Sequence, residues 1–92
     1  MARRLTAEFL GTAILIFIGV GAATMVFGFH VFGVLGAAGL AAGILTVGLA
    51  FGLIMLAMVY VIGPVSACHI NPAVTLGALL TRRITPVEAA GY

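Results

Sequence analysis

From Phe9 to Thr81 the chain contains no Asp, Glu, Lys or Arg. A soluble fold of this size needs charges along each exposed face to stay dispersed in water, so this run requires another solvent against those faces. Composition points the same way: 64% of residues are apolar and 7% charged, against about 25% charged in an ordinary soluble domain. Lipid is the medium that fits, and a soluble monomer is excluded. The net charge of +2 comes from Arg3, Arg4, Arg82 and Arg83 set against Glu8 and Glu88. The high pI therefore reflects scarce acids rather than a basic surface, and no nucleic-acid partner is expected. Cys68 is a lone cysteine, without a second thiol for a disulfide or a His cluster at metal-ligand spacing, so neither metal nor other cofactor is expected.

A spanning helix needs about 20 mostly apolar residues to cross a hydrocarbon layer of ~30 Å. Two segments qualify, about 5–27 and about 40–62. Met1-Ala2-Arg3-Arg4 resembles the positive start of an export signal, but the apolar run behind it is too long for one and Glu8 interrupts its beginning. Between the two segments, Phe29-His30-Val31-Phe32-Gly33 and the residues up to Gly36 are expected to form a short connection at the membrane surface, with His30 a plain surface histidine. Gly39 with Gly43, and Gly48 with Gly52, place small residues four apart on the second helix, a spacing that lets another backbone approach closely.

The third stretch, 63–81, reads differently. Gly63-Pro64 is expected to break the second helix, and Asn71-Pro72 announces a new one, with Asn71 at the N-cap and Pro72 at the first helical position. A helix from Pro72 to about Leu80 is roughly 14 Å long at 1.5 Å per residue, about half the hydrocarbon thickness, and cannot span. Charge placement is an independent guide, because cytoplasmic flanks carry the excess of Lys and Arg. With Arg3-Arg4 inside, two crossings return the chain inside, and a segment that enters and leaves by the same face keeps Arg82-Arg83 inside as well. A full third crossing would put them outside. The sequence thus predicts a re-entrant loop with a half-helix and a cytoplasmic N-terminus. Thr85-Pro86-Val87-Glu88 then has the form of a capping box, so a third spanning helix is expected to start in 86–92, and the chain reads as a truncated frame or fragment that stops inside it.

Non-helical backbone at membrane depth is tolerated only where protein buries it or where it lines a water-filled cavity. Ser66 to Ile70 is such backbone, and its carbonyls can accept hydrogen bonds from a passing solute. The half-helix N-terminus carries about +0.5 of an elementary charge and repels cations. Asn71 can cap with its amide oxygen and still donate from its nitrogen, or it can cap alone; the spacing leaves both open. Glu8, the one acid near the apolar region, calls for a partner. It is expected to accept hydrogen bonds from His69 or from loop amides, unless it simply meets water beside Arg3-Arg4.

At this point three blocks, Ala7-Glu8-Phe9-Leu10-Gly11-Thr12, Ala50-Phe51-Gly52-Leu53 and Ser66-Ala67-Cys68-His69-Ile70-Asn71-Pro72-Ala73-Val74-Thr75, resemble the aquaporin family of major intrinsic proteins. The resemblance implies an all-α membrane fold of six helices in two inverted halves, of which this chain supplies the first. It implies that Asn71-Pro72-Ala73 is the first pore motif, that carbonyls of Ala67, Cys68, His69 and Ile70 line the pathway, and that Glu8 braces the loop. Phe51 falls where the family places an aromatic of its selectivity filter, and a phenylalanine there is more like water channels than glycerol facilitators. Ala67 stands where glycine is common. Implied partners are the lipid bilayer, the second channel half, water or a small neutral solute, and three further copies in a homotetramer, in a plasma or inner cell membrane.

The function expected is passive conduction of water, with small polyols such as glycerol as further solutes and no chemical step. The competing reading is a non-conducting fragment or a subunit that packs through its glycine stripes, which crosslinking separates from a pore. An enzyme is the weakest candidate: Cys68 beside His69 is the one sequence-adjacent pair, and neighbouring residues of extended backbone point apart. If the Cys68 side chain reaches the pathway, permeation is expected to be sensitive to mercurials.

Overall fold

The structure is a computed structural model, and it describes residues 1–30 and 36–92. Among the described residues there are four α-helices and no strand: α1, Ala2–Ala23; α2, Gly36–Ser66; α3, Pro72–Leu80; and α4, Pro86–Gly91. The last turn of the first helix widens into a π-helical stretch, Thr24–Gly28, closed by the Phe29 amide bonding back to the Thr24 carbonyl at 3.2 Å. Together they form an apolar rod of 27 residues, and α2 forms another of 31. At 1.5 Å per residue these rods are about 40 and 46 Å long, enough to cross a hydrocarbon layer. Only 17% and 6% of their most apolar stretches are buried inside the chain, so neither is the core helix of a water-soluble fold. Phe17 and Tyr60, 82% and 78% exposed, belong against lipid or another protein surface.

Three boundaries differ from the sequence expectation, one of them the start of α2, at Gly36 rather than near Leu40. The first rod starts at Ala2 rather than near Leu5. The second does not break at Gly63-Pro64: Pro64 lies inside α2. Proline's fixed φ suits a helix, and the cost falls on one missing N–H. The ladder resumes beyond it, with the Ala67 amide on the Gly63 carbonyl at 2.8 Å. What stops α2 is Ala67, whose φ of 70° is left-handed. The expected connection over Val31, Phe32 and Gly33 lies outside the described residues.

The chain divides into two units, Met1–Ala13 with Met58–Tyr92, and Ile14–Ala57. In the second, α1 and α2 approach through glycines. A Cβ at Gly19 would collide with the Phe51 ring, and one at Gly43 with the Val26 side chain, whereas Gly48 and Gly52 face open space. In the first unit, Glu8 near the start of α1 holds the end of α2, and Gly11 leaves room for Ile62 and Ile70. Further along the chain, Glu88 in α4 pairs with Arg4, and Gly91 lies against Leu5. The segment from Ser66 to Glu88 therefore departs from α1 at Glu8 and rejoins it at Arg4, about 6 Å apart along the helix axis.

Candidate functional site, a carboxylate-held turn and a capped half-helix

The turn between α2 and α3 has three non-glycine residues in the left-handed region: Ala67 at φ 70°, Cys68 at 51° and Ile70 at 34°. Each such residue costs about 1–2 kcal/mol relative to right-handed backbone, and beyond the Ala67 amide, which closes the α2 ladder on Gly63, the amides of Cys68, His69 and Ile70 join no regular ladder. Side chains supply the missing partners. Glu8 Oε1 accepts from the Ser66 hydroxyl at 2.6 Å and from the His69 amide at 2.9 Å, while Oε2 accepts from the Ile70 amide at 2.6 Å. The Cys68 amide donates to Ser66 Oγ at 3.3 Å. From Ala67 through Ile70 every backbone N–H has an acceptor, the condition that buried backbone must meet. Glu8 is 2% exposed, and no buried side-chain nitrogen or oxygen among the described residues lacks a partner. Hydrogen bonds to an ionised group contribute about 1.5–3 kcal/mol each, enough together to offset the strained dihedrals.

The His69 imidazole turns away from Glu8. Its Nδ1 lies 3.1 Å from Thr75 Oγ1, and Thr75 in turn donates to the Asn71 carbonyl at 3.2 Å. Both His69 and Thr75 are buried.

Asn71 sits in extended backbone at φ −156°, ψ 122°, and its Oδ1 accepts from the Ala73 amide at 2.8 Å. Pro72 follows at the first helical position, where its absent N–H costs nothing. Because the cap uses the amide oxygen, the Asn71 NH₂ group keeps two donors for other partners, and Asn71, Pro72 and Ala73 are all exposed. The nine residues of α3 give a helix of about 14 Å. An open cavity of ≈ 550 Å³ runs alongside, bordered by Ala67, His69, Val74, Gly77, Thr81 and Arg83 among others. Cys68 and Ile70 do not border it and are buried, at 3% and 6% exposure. Phe51 belongs to the other unit, on α2, where its ring lies over Gly19.

Three contributors escaped the sequence reading. The Ser66 hydroxyl, in a stretch whose sequence points only to its backbone, bridges Glu8 and Cys68. Thr75 stands four residues after Asn71, on the same helical face, which is a local signal. Tyr92, whose hydroxyl donates to the Ser66 carbonyl at 3.1 Å, is remote in sequence and left none.

Two lipid-length apolar rods and a short helix that follows a carboxylate-held turn define an all-α integral membrane protein. The family profile described as Major intrinsic protein (MIP) matches residues 1–92, and the chain belongs to that family. Over 92 residues it is 40% identical to Aquaporin Z of Photorhabdus laumondii subsp. laumondii, covering all of this chain and 36% of the relative. It is 38% identical over 90 residues to Glycerol uptake facilitator protein-like 6 of Lactiplantibacillus plantarum, covering 98% and 35% respectively. It is 42% identical over 86 residues to Aquaporin Z of Rhodopseudomonas palustris, covering 94% and 32%. The chain thus spans about a third of the length of these relatives. No solved structure matches it.

Proposed function

We propose that the chain supplies one half of a passive channel for water, with small neutral solutes such as glycerol as further cargo, and that residues 63–81 enter and leave the membrane by the cytoplasmic face. The observation that carries this reading is the return of the Ser66–Glu88 segment to the same end of α1, with a helix too short to span in between. Arg3, Arg4, Arg82 and Arg83 then share one side, as the positive-inside rule favours, and the N-terminus is cytoplasmic.

In this arrangement Asn71 caps α3 with its oxygen and offers its NH₂ to a solute oxygen, and the α3 N-terminus adds a partial positive charge that opposes cations. Carbonyls of Ala67, Cys68, His69 and Ile70 serve as successive acceptors in place of bulk water, and Glu8 braces them. The left-handed dihedrals at 67, 68 and 70 support the role, since a regular helix would hide those carbonyls in its own ladder. Phe51 contributes to a selectivity filter whose remaining members lie in the second channel half, and four such channels associate in a plasma or inner cell membrane. The names of the relatives, two aquaporins and one glycerol facilitator, span the two solute classes; Phe51 favours water.

Osmotic shrinkage of vesicles bearing the full-length protein tests the reading. Wild-type vesicles should shrink well ahead of empty ones, and Asn71→Asp, which keeps an N-cap but replaces the donor NH₂ by a negative charge, should cut that rate about tenfold or more, as expected for losing a hydrogen bond and leaving a mispaired group. Wild-type shrinkage no faster than in protein-free vesicles would refute the proposal.

A further inference from the structure

Glu8 holds the turn's amides and leaves two features unaccounted for: the carbonyl of Ser66, at the very end of α2, and the outer edge of the His69 ring. A helix-terminal carbonyl has no intrahelical donor. The residue that would normally satisfy it is Ile70, whose amide is already committed to Glu8. Tyr92 fills the gap from the far end of the chain. Its hydroxyl donates to the Ser66 carbonyl at 3.1 Å. Its ring meets His69 edge to face, with centroids 5.1 Å apart and planes at 79°, within the favoured range for aromatic pairs. Tyr92 is itself kept in place by α4, whose start is fixed by the reciprocal capping of Thr85 and Glu88 and by the Arg4–Glu88 ion pair.

We propose that Tyr92 is a positioning residue for the pathway. It forms the second jaw of a clamp on residues 66–70, opposite Glu8, and sets the orientation of the His69 ring, which Thr75 fixes from the other edge. This rests on the channel reading above for its consequence, selectivity, but not for the clamp itself. The two jaws divide the turn's polar atoms: Glu8 takes the N–H groups and the Ser66 hydroxyl, and Tyr92 takes the orphan carbonyl. The ring contact links that carbonyl to the side chain bordering the cavity. Loosening Tyr92 lets His69 swing and blurs the discrimination between water and a larger polyol without unfolding the helices.

The test uses the full-length protein in lipid vesicles, as wild type, Tyr92→Phe and Tyr92→Leu. Phenylalanine removes only the hydroxyl, so amide exchange at Cys68, His69 and Ile70 should speed up by about two- to tenfold, the size of one neutral hydrogen bond. Exchange at Arg83, whose amide closes the end of α3, should not change. Leucine also removes the ring, and should shift the ¹⁵N resonances of the His69 imidazole and raise the glycerol-to-water permeability ratio above wild type. A merely structural residue would speed exchange everywhere and leave that ratio alone. Unchanged exchange at His69 and Ile70 in both variants, or acceleration spread evenly over all helices, overturns the proposal. Exchange and ring resonances are read without solute flow, so a wild-type protein that conducts nothing would refute the channel reading and leave the clamp to be judged on its own data.

Discussion

Two helix ends in the same unit are built from left-handed residues that are not glycine, and they are stabilised in opposite ways. At the end of α3, Arg82 has φ 57°. The Arg83 amide bonds to the Ala78 carbonyl at 2.8 Å and the Arg82 amide to the Leu79 carbonyl at 3.0 Å, the paired bonds of a Schellman closure. That end satisfies itself with its own backbone, in the open, next to arginines that suit a negative helix terminus. At the end of α2 stand three left-handed residues; the exposed Ala67 still bonds through its amide to the Gly63 carbonyl, whereas Cys68 and Ile70 are buried and their amides find partners only in side chains, the decisive one Glu8, near the other end of the sequence. The first geometry can form wherever α3 forms. The second exists only when α1 is already docked, and that dependence is what lets the strained, polar backbone persist.

The largest effect should come from removing the remote partner. Glu8→Gln keeps the shape but replaces one carboxylate oxygen with a donor facing another donor, and it discharges the remaining acceptor. With charge-assisted bonds contributing about 1.5–3 kcal/mol each, a loss of about 3–5 kcal/mol is expected. It should appear as a much lower thermal unfolding midpoint in detergent and loss of osmotic water flow. The α3 end should not notice, so amide exchange at Arg82 and Arg83 should remain near wild type in whatever fraction stays folded. An unfolding midpoint equal to wild type would break the contrast, because it would mean that the α2 end is as self-sufficient as the α3 end.

The same contrast explains which parts of the molecule were legible in the sequence. Asn71-Pro72 and the Thr85–Glu88 box are local signals, and the structure places an N-cap and a reciprocal capping box on those residues. The two apolar rods follow from hydropathy alone. Pro64 misled because a proline reads as a helix stop, whereas the cost of one absent N–H is borne by a long helix whose ladder resumes at Ala67. The left-handed dihedrals of Cys68 and Ile70 carry no residue signature, since neither residue favours that region. Glu8 could be singled out as an acid needing a partner, but the choice between the His69 ring and loop amides depended on Thr75 capturing the ring first. Tyr92 could be found only from coordinates.

A smaller effect, of opposite sign, separates the two ends further. Ala67→Gly removes a methyl group from a left-handed residue. The relief of about 1–2 kcal/mol is partly offset by about 0.4–1 kcal/mol of extra freedom in the unfolded chain, so a net gain of roughly 0.5–1 kcal/mol is expected. Arg82→Gly should gain less, about 0–0.5 kcal/mol, because the same relief is further reduced by the loss of a cation at the α3 terminus, a contribution of about 0.3–1 kcal/mol. The two glycines should also couple differently to Glu8→Gln. Ala67→Gly acts on the backbone that Glu8 restrains, so in the double variant it should recover more stability than it adds to wild type, as neighbours sharing partners do. Arg82→Gly should add the same small increment in either background. Thermal unfolding of the four combinations measures both couplings, and equal increments at Ala67 in the two backgrounds would show that Glu8 does not hold the strained dihedrals in place.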